Sequence, residues 1–122
     1  GVQTCALPIY EIAHCRGRVH ELAARFAAKE AVMKALGTGV RGVGWRDIEV
    51  LPNRRGKPLV FLYGRGAARA AHIQLRGLEI SMTHSRDYAI ASVVGERALT
   101  AEEDTPRKGE SAQRLVREEG LR

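Results

Sequence analysis

Between Val19 and Leu36 the apolar residues Val19, Leu22, Ala23, Phe26 and Met33 recur at helical spacing and share one face at about 100° per residue. The pattern predicts a helix over Val19–Leu36, entered through a turn from Glu11 and ended by Gly37, a residue favoured just past a helix C-terminus. Beyond a glycine-rich stretch, Ile48 and Val50 alternate with Asp47 and Glu49, which predicts a half-buried strand over residues 45–51. Residues 53–57 have turn chemistry, and Pro58 opens a short apolar strand that runs to Tyr63. Gly64 and Gly66 precede an alanine-rich helix that should end near Leu75, with Gly77 beyond it. A hairpin follows over residues 78–84 and 87–94, turning at Ser85 and Arg86. Helices and strands mix without a regular strand-helix-strand repeat, so the expected fold is α+β, a mostly antiparallel sheet packed with one long helix.

One polar residue breaks the helical pattern. Glu30 falls about 20° from Val19 on the helical wheel, inside the apolar stripe. A carboxylate facing the interior needs compensation, because an ionised group is expensive to bury alone. An internal ion pair with Lys34, one turn on, would supply it. So would a site in which Glu30 binds a metal ion and Lys34 neutralises a phosphate held by that metal. Mg²⁺ takes one or two carboxylates with substrate phosphates and water, so this second reading calls for another acidic ligand, which spacing does not identify.

The chain has 122 residues, 44% hydrophobic and 28% charged, the balance of one folded domain. No apolar run approaches the roughly 18 residues a membrane helix needs, and the N-terminus lacks the charged start and apolar core of a secretory signal. The expectation is a cytoplasmic protein with no membrane partner. Cys5 and Cys15 have no CxxC spacing, so neither a disulfide framework nor a zinc site follows, and both are expected as reduced thiols. Residues 1–95 hold 14 basic against 7 acidic side chains, residues 96–122 hold 6 against 7. A basic body suits an acidic or phosphorylated partner, or solubility alone. The tail from Glu96 mixes charge, Ser and Pro with scattered Leu and Val, so it is expected to be disordered or weakly helical. The opening GVQTCALPI, Gly1 to Ile9, resembles the translation of a sequencing adapter and is expected to be a non-native scar. That leaves residues 10–95 as the domain, small enough that oligomerisation is a common remedy for a marginal core.

His84 ends the face formed by Leu78, Ile80 and Met82, with the Thr83 and Ser85 hydroxyls beside it. It is either hydrogen-bonded at a sheet end or a phosphate donor or acid/base group. His14, His20 and His72 have no metal-ligand spacing and are expected at the surface. The run from Gly37 to Gly42 matches GxGxxG but follows a helix and enters a strand, the reverse of a dinucleotide-binding turn. Arg65, Arg69, His72 and Arg76 form a basic stripe, a solvated face or a dock for an acidic partner. A nucleic-acid module would interleave stacking aromatics, and none joins the stripe, so no nucleic-acid partner is expected beyond a basic scaffold reading.

Residues 25–39, RFAAKEAVMKALGTG, resemble the holo-acyl-carrier-protein synthases, small bacterial 4′-phosphopantetheinyl transferases. The resemblance continues through WRDIEV at 45–50, Gly56-Lys57-Pro58, and SMTHSRDYA at 81–89, in the family's order, and spans roughly Glu11 to Glu96. It implies the phosphopantetheinyl transferase fold and transfer of 4′-phosphopantetheine from coenzyme A to a serine of an apo acyl carrier protein in fatty acid biosynthesis. Adenosine 3′,5′-bisphosphate would be released and Mg²⁺ would sit on the diphosphate. The same resemblance makes Glu30 the helix-borne metal ligand, Lys34 the lysine at the transferring phosphate, and His84 the histidine near the coenzyme A phosphates. Arg25, Gly37 and Ser85 would line the phosphate site, and Gly56, Lys57 and Pro58 the loop beside the adenine. Catalysis would then be mainly positioning and charge neutralisation by metal, Lys34 and His84, with a metal-bound water as the first candidate for the base. A homotrimer with active sites between subunits is implied as well.

The family begins with a strand carrying a G-x-D-I motif, whose aspartate is the second metal ligand, followed by a helix that docks the carrier protein. This sequence contains neither, so it is expected to be an N-terminally truncated synthase lacking the first strand. A catalytically impaired fragment that only binds coenzyme A is the alternative reading.

Overall fold

In the computed structural model residues 8–100 are described. Most of the expected scar, Cys5 with it, and residues 101–122 of the tail lie outside them.

The chain enters through α1, Ile9–Cys15, which ends on Arg16 in the left-handed region at φ 47°, its N–H bonded to the Ile12 carbonyl. The expected entry turn is therefore a separate helix. α2 spans Val19–Leu36 as its spacing predicts, and Gly37 closes it at φ 72°. The Gly37 and Thr38 amides donate to the Lys34 and Met33 carbonyls at 3.1 and 3.2 Å, the double bond of a glycine C-cap. After the single turn α3, Gly39–Gly42, a 3₁₀ turn at Trp45–Asp47 leads into β1, Ile48–Pro52. β2, Pro58–Leu62, pairs with it antiparallel, Val50 opposite Val60. α4, Gly64–His72, then leads to β3, Leu75–His84, and β4, Ala89–Arg97, a second antiparallel pair with Met82 opposite Ala91 and His84 opposite Ala89. The α+β class and the antiparallel pairing agree with the sequence reading.

Several boundaries move. α4 stops three residues before Leu75, turned by Gln74 at φ 56°, while Gly77 lies inside β3 at a register shift. β4 continues through Glu96 and Arg97, which composition assigned to the tail. β1 begins three residues later than expected, residues 45–47 forming a 3₁₀ turn in place of a strand, because the Asp47 carboxylate accepts from the Gly44 amide at 2.8 Å and curls the backbone. The Asp47 carbonyl also accepts from the Tyr63 amide at 2.8 Å. A Cβ at Gly66 would stand 3.1 Å from that carbonyl, so α4 approaches the strand pair this closely only with glycine there.

The largest correction concerns which face of α2 is buried. Ala24, Arg25, Ala28, Lys29, Val32, Met33 and Leu36 face the protein. Val19, Ala23, Phe26 and Glu30 point outward. Val32, Met33 and Leu36 form the main core with Val43 and Ile48, and Ala28 joins Val50 and Ile80 in a second cluster. The apolar stripe was misleading because the buried face carries Arg25 and Lys29. β1 departs from expectation likewise: Glu49 is buried alongside Ile48 and Val50, so both faces of that strand are covered.

Candidate functional site

Two cations on the inner face of α2 are met by acceptors on its neighbours. The Lys29 ammonium, fully buried, lies 2.8 Å from the fully buried Glu11 carboxylate of α1. It also donates to the Trp45 carbonyl at 3.0 Å and to the Ile48 carbonyl. One turn earlier, Arg25 Nε donates to the Val50 carbonyl at 3.3 Å and lies 3.9 Å from Glu11, while its other edge reaches the Glu21 carbonyl at 3.4 Å. Desolvation pushes the Glu11 carboxyl above its ordinary range and the Lys29 amine below its own, each only partly offset by the other's charge. Neither residue was singled out in the sequence. The signal was the i, i+4 pair of cations at 25 and 29 running along Ala24, Ala28 and Val32.

Above Arg25 opens a cleft of about 250 Å³. Its walls come from four places in the chain: His14 of α1, Glu21, Ala24 and Arg25 of α2, Pro52, Gly56 and Pro58 around the β1–β2 turn, and Met82 and His84 of β3. The turn is shaped by Asn53, whose side-chain oxygen accepts from the Arg55 and Lys57 amides at 2.9 and 3.0 Å, with Gly56 at φ 84°. His84, exposed at the strand end, stacks on His20 with ring centres 5.5 Å apart. His14 and His20, expected as featureless surface residues, thus belong to this end of the molecule. Arg25 and the two histidines at the walls of one small cleft offer N–H donors suited to phosphate oxygens, with the Glu21 carboxylate 3.9 Å from both Arg25 and His14.

Of the expected site residues, Arg25, Gly56, Pro58 and His84 come together here. Arg25 is held by backbone carbonyls as well as lining the cleft. Lys57 points its ammonium at Glu79, 2.8 Å away, in a solvent-exposed pair. Ser85 accepts from the Tyr88 amide at 3.2 Å through its hydroxyl and so shapes the hairpin turn next to His84.

Glu30, Lys34 and Gly37 lie elsewhere. Glu30 and Lys34 are exposed and do not pair with one another, which removes the internal ion pair as a reason for Glu30. At 1.5 Å per residue and 100° of turn, Glu30 stands about 8 Å along α2 and about 140° around it from the cleft-lining Arg25, and Lys34 about 14 Å along and on the opposite side. Gly37 lies beyond them, where Arg69 crosses to bond the Leu36 carbonyl at 2.9 Å. The presumed basic stripe is thereby divided: Arg69 caps α2, Arg65 lies 3.7 Å from Asp47, and Arg76 belongs to β3 rather than the helix. Glu30 fits Mg²⁺ in part, being a hard, exposed oxygen donor, but one donor is far from a full shell. Among the described residues no group of three or more His, Cys, Asp or Glu side chains could hold a metal. No described helix is long and apolar enough to cross a membrane, and Cys15 is a free, buried thiol whose pKa burial pushes up.

The sequence pattern of the 4′-phosphopantetheinyl transferase superfamily matches residues 7–93. A holo-[acyl-carrier-protein] synthase of Herpetosiphon aurantiacus is 48% identical over 88 residues, 66% of this chain and 69% of that protein. One from Caldanaerobacter subterraneus is 45% identical over 73 residues, 60% of this chain and 58% of its own length. Among solved structures, the holo-[acyl-carrier-protein] synthase of Neisseria meningitidis superposes with a TM-score of 0.73 at 32% identity, covering 79% of this chain and 80% of that one. The Helicobacter pylori enzyme in complex with coenzyme A gives 0.71 at 28% identity, over 78% of this chain and 81% of that one.

Proposed function

The chain belongs to the 4′-phosphopantetheinyl transferase superfamily, among the holo-[acyl-carrier-protein] synthases, and on that premise we propose that it transfers 4′-phosphopantetheine from coenzyme A to a serine of an acyl carrier protein. The observation that carries the reading is the cleft, where Arg25, His84 and the Gly56 turn converge from distant parts of the sequence. Arg25 and His84 would bind phosphate oxygens of coenzyme A, and Gly56, Lys57 and Pro58 would border the adenine. Lys34 would neutralise charge on the transferring phosphate, its point charge suited to oxygens whose positions shift during reaction. The serine oxygen bonds to phosphorus as its proton passes to water, the bond from that phosphorus to the bridging oxygen breaks, and adenosine 3′,5′-bisphosphate leaves with the electron pair. Mg²⁺, with Glu30 as one ligand and diphosphate oxygens and water as others, would supply further charge neutralisation when bound.

Glu30 and Lys34 project from the exposed side of α2, away from the buried, cleft-lining Arg25, which supports an assembly in which one subunit's cleft meets a neighbour's Glu30 and Lys34. A cleft of about 250 Å³ admits only part of a coenzyme A molecule. Exposed Val19, Phe26, Ile90 and Val94 supply apolar surface for such contact. A homotrimer is our reading, and light scattering after size exclusion tests it. A cytoplasmic location, where coenzyme A and carrier protein meet, goes with the reading and is tested by fractionation.

Mass spectrometry of apo carrier protein incubated with the chain, coenzyme A and Mg²⁺ tests the activity. A phosphopantetheine mass gain is expected, and its absence at saturating coenzyme A overturns the reading. Calorimetry with adenosine 3′,5′-bisphosphate separates a binding-only chain, which would bind without transferring.

A further inference from the structure

We propose that Lys29, through its buried pair with Glu11, is a positioning residue that fixes the rotation of α2 and so turns Glu30 and Lys34 outward to where transfer takes place. The proposal rests on the functional reading above and adds a residue to it.

Hydrophobicity alone leaves the rotation of α2 nearly undecided. One face offers Val19, Leu22, Ala23, Phe26 and Met33 with Glu30 among them. The other offers Ala24, Ala28, Val32, Met33 and Leu36 with Arg25 and Lys29 among them. Each face would bury charge, so the apolar content cannot choose. What chooses is the receiving surface. On the observed side four acceptors meet the two cations: the Glu11 carboxylate at 2.8 Å from the ammonium, the Trp45 carbonyl at 3.0 Å, the Ile48 carbonyl, and the Val50 carbonyl for Arg25. An inward Glu30 would meet those same oxygens and be repelled. Lys29 and Glu30 are adjacent, about 100° apart around the axis, so drawing Lys29 into this nest of oxygens sends Glu30 toward solvent. A single buried polar group that selects one arrangement among several of similar hydrophobicity is the best-attested use of such groups. Phe26 accepts the consequence, lying 46% exposed and stacked on Trp45 with ring centres 4.5 Å apart.

The test replaces both members with apolar residues of similar volume, Glu11→Leu with Lys29→Met, which leaves no unpaired buried charge. Two readouts are taken. Rotation is read by thiol labelling of Ala23→Cys, exposed in the native helix, and Ala24→Cys, buried there, in a Cys5→Ser background. Transfer is read as kcat and KM for coenzyme A. In the native background position 23 labels and position 24 is protected. In the double variant that contrast should collapse, with kcat lower by about tenfold or more, the scale on which small misplacements act, and with Lys29→Arg alone retaining part of both.

Labelling unchanged, or transfer unchanged, overturns the proposal. Should the apolar pair fail to fold, Glu11→Gln takes its place, since its amide oxygen still offers Lys29 an acceptor while the carboxylate charge that draws the ammonium inward is lost. A rise in labelling at position 24 together with a lower kcat is then expected, and an unaltered contrast overturns the proposal. If the native chain itself transfers nothing, the functional reading fails, a result separate from the labelling contrast.

Discussion

The imidazole of His20, in the first turn of α2, lies 5.5 Å from that of His84, the last residue of β3, with the ring planes 12° apart. The contact ties the helix to the end of the hairpin beside the cleft. His84 lines that cleft, and His20 stacks on its ring.

Removing the support should loosen the ligand rather than abolish chemistry. An aromatic pair contributes about 0.5–1.5 kcal/mol, so His20→Ala should weaken adenosine 3′,5′-bisphosphate binding roughly two- to tenfold. Calorimetry measures this, and an unchanged Kd would show that His84 is held by other contacts.

Glu30→Ala should separate function from folding. Glu30 is exposed and has no ion pair with Lys34, so the stability change should stay within about 0.5 kcal/mol. Transfer should fall about 10²- to 10³-fold, the usual loss when one group stabilising developing charge is removed. Denaturant melts and mass spectrometry on the same sample check both, and an unfolded variant would return Glu30 to the interior.

The buried pair should leave two slopes in the pH dependence of stability. Burial raises Glu11 above its ordinary 4.5, so the folded state holds that proton more tightly than the unfolded chain. Its contribution is full below pH 4.5 and is lost as pH rises through the raised folded value. Burial lowers Lys29 below its ordinary 10.5, so the opposite holds: stability recovers as pH climbs from the lowered folded value toward 10.5. Denaturation midpoints across pH should show both slopes in the native chain and neither in Glu11→Leu with Lys29→Met. A slope that survives the double substitution belongs to another group.

Gly37→Ala should destabilise by about 1–2 kcal/mol, the penalty for an L-residue in the left-handed region. Gly37 sits at φ 72°, and a Cβ there would stand 3.5 Å from an Arg69 nitrogen, an ordinary contact, so the loss is conformational. Chemical denaturation reads it. A stability equal to the native one would mean that α2 ends differently in solution.

Much of the candidate site could be read from residues that act locally. The Gly56 turn, the His84 strand end and the Gly37 cap depend on neighbours within a few positions, and each stands where its spacing predicts. Glu30 was misread because its environment depends on α1 and β1, which meet α2 only after folding. Glu49 was misread similarly: alternation marked it as outward, yet it is buried and receives the Tyr63 hydroxyl at 2.9 Å from the turn after β2. That hydrogen bond also pushes the Tyr63 pKa up.

By itself the sequence determined the elements, the antiparallel hairpin, the helix ends and the family, because these follow from periodicity, turn chemistry and ordered motifs along the chain. The tertiary structure alone decided which side of α2 faces inward, and with it where Glu30 and Lys34 point and which histidine supports His84. The reason is physical: the apolar pattern of α2 is nearly balanced between two faces, and the balance is tipped by a carboxylate and backbone carbonyls from α1, the 3₁₀ turn and β1 that surround one lysine.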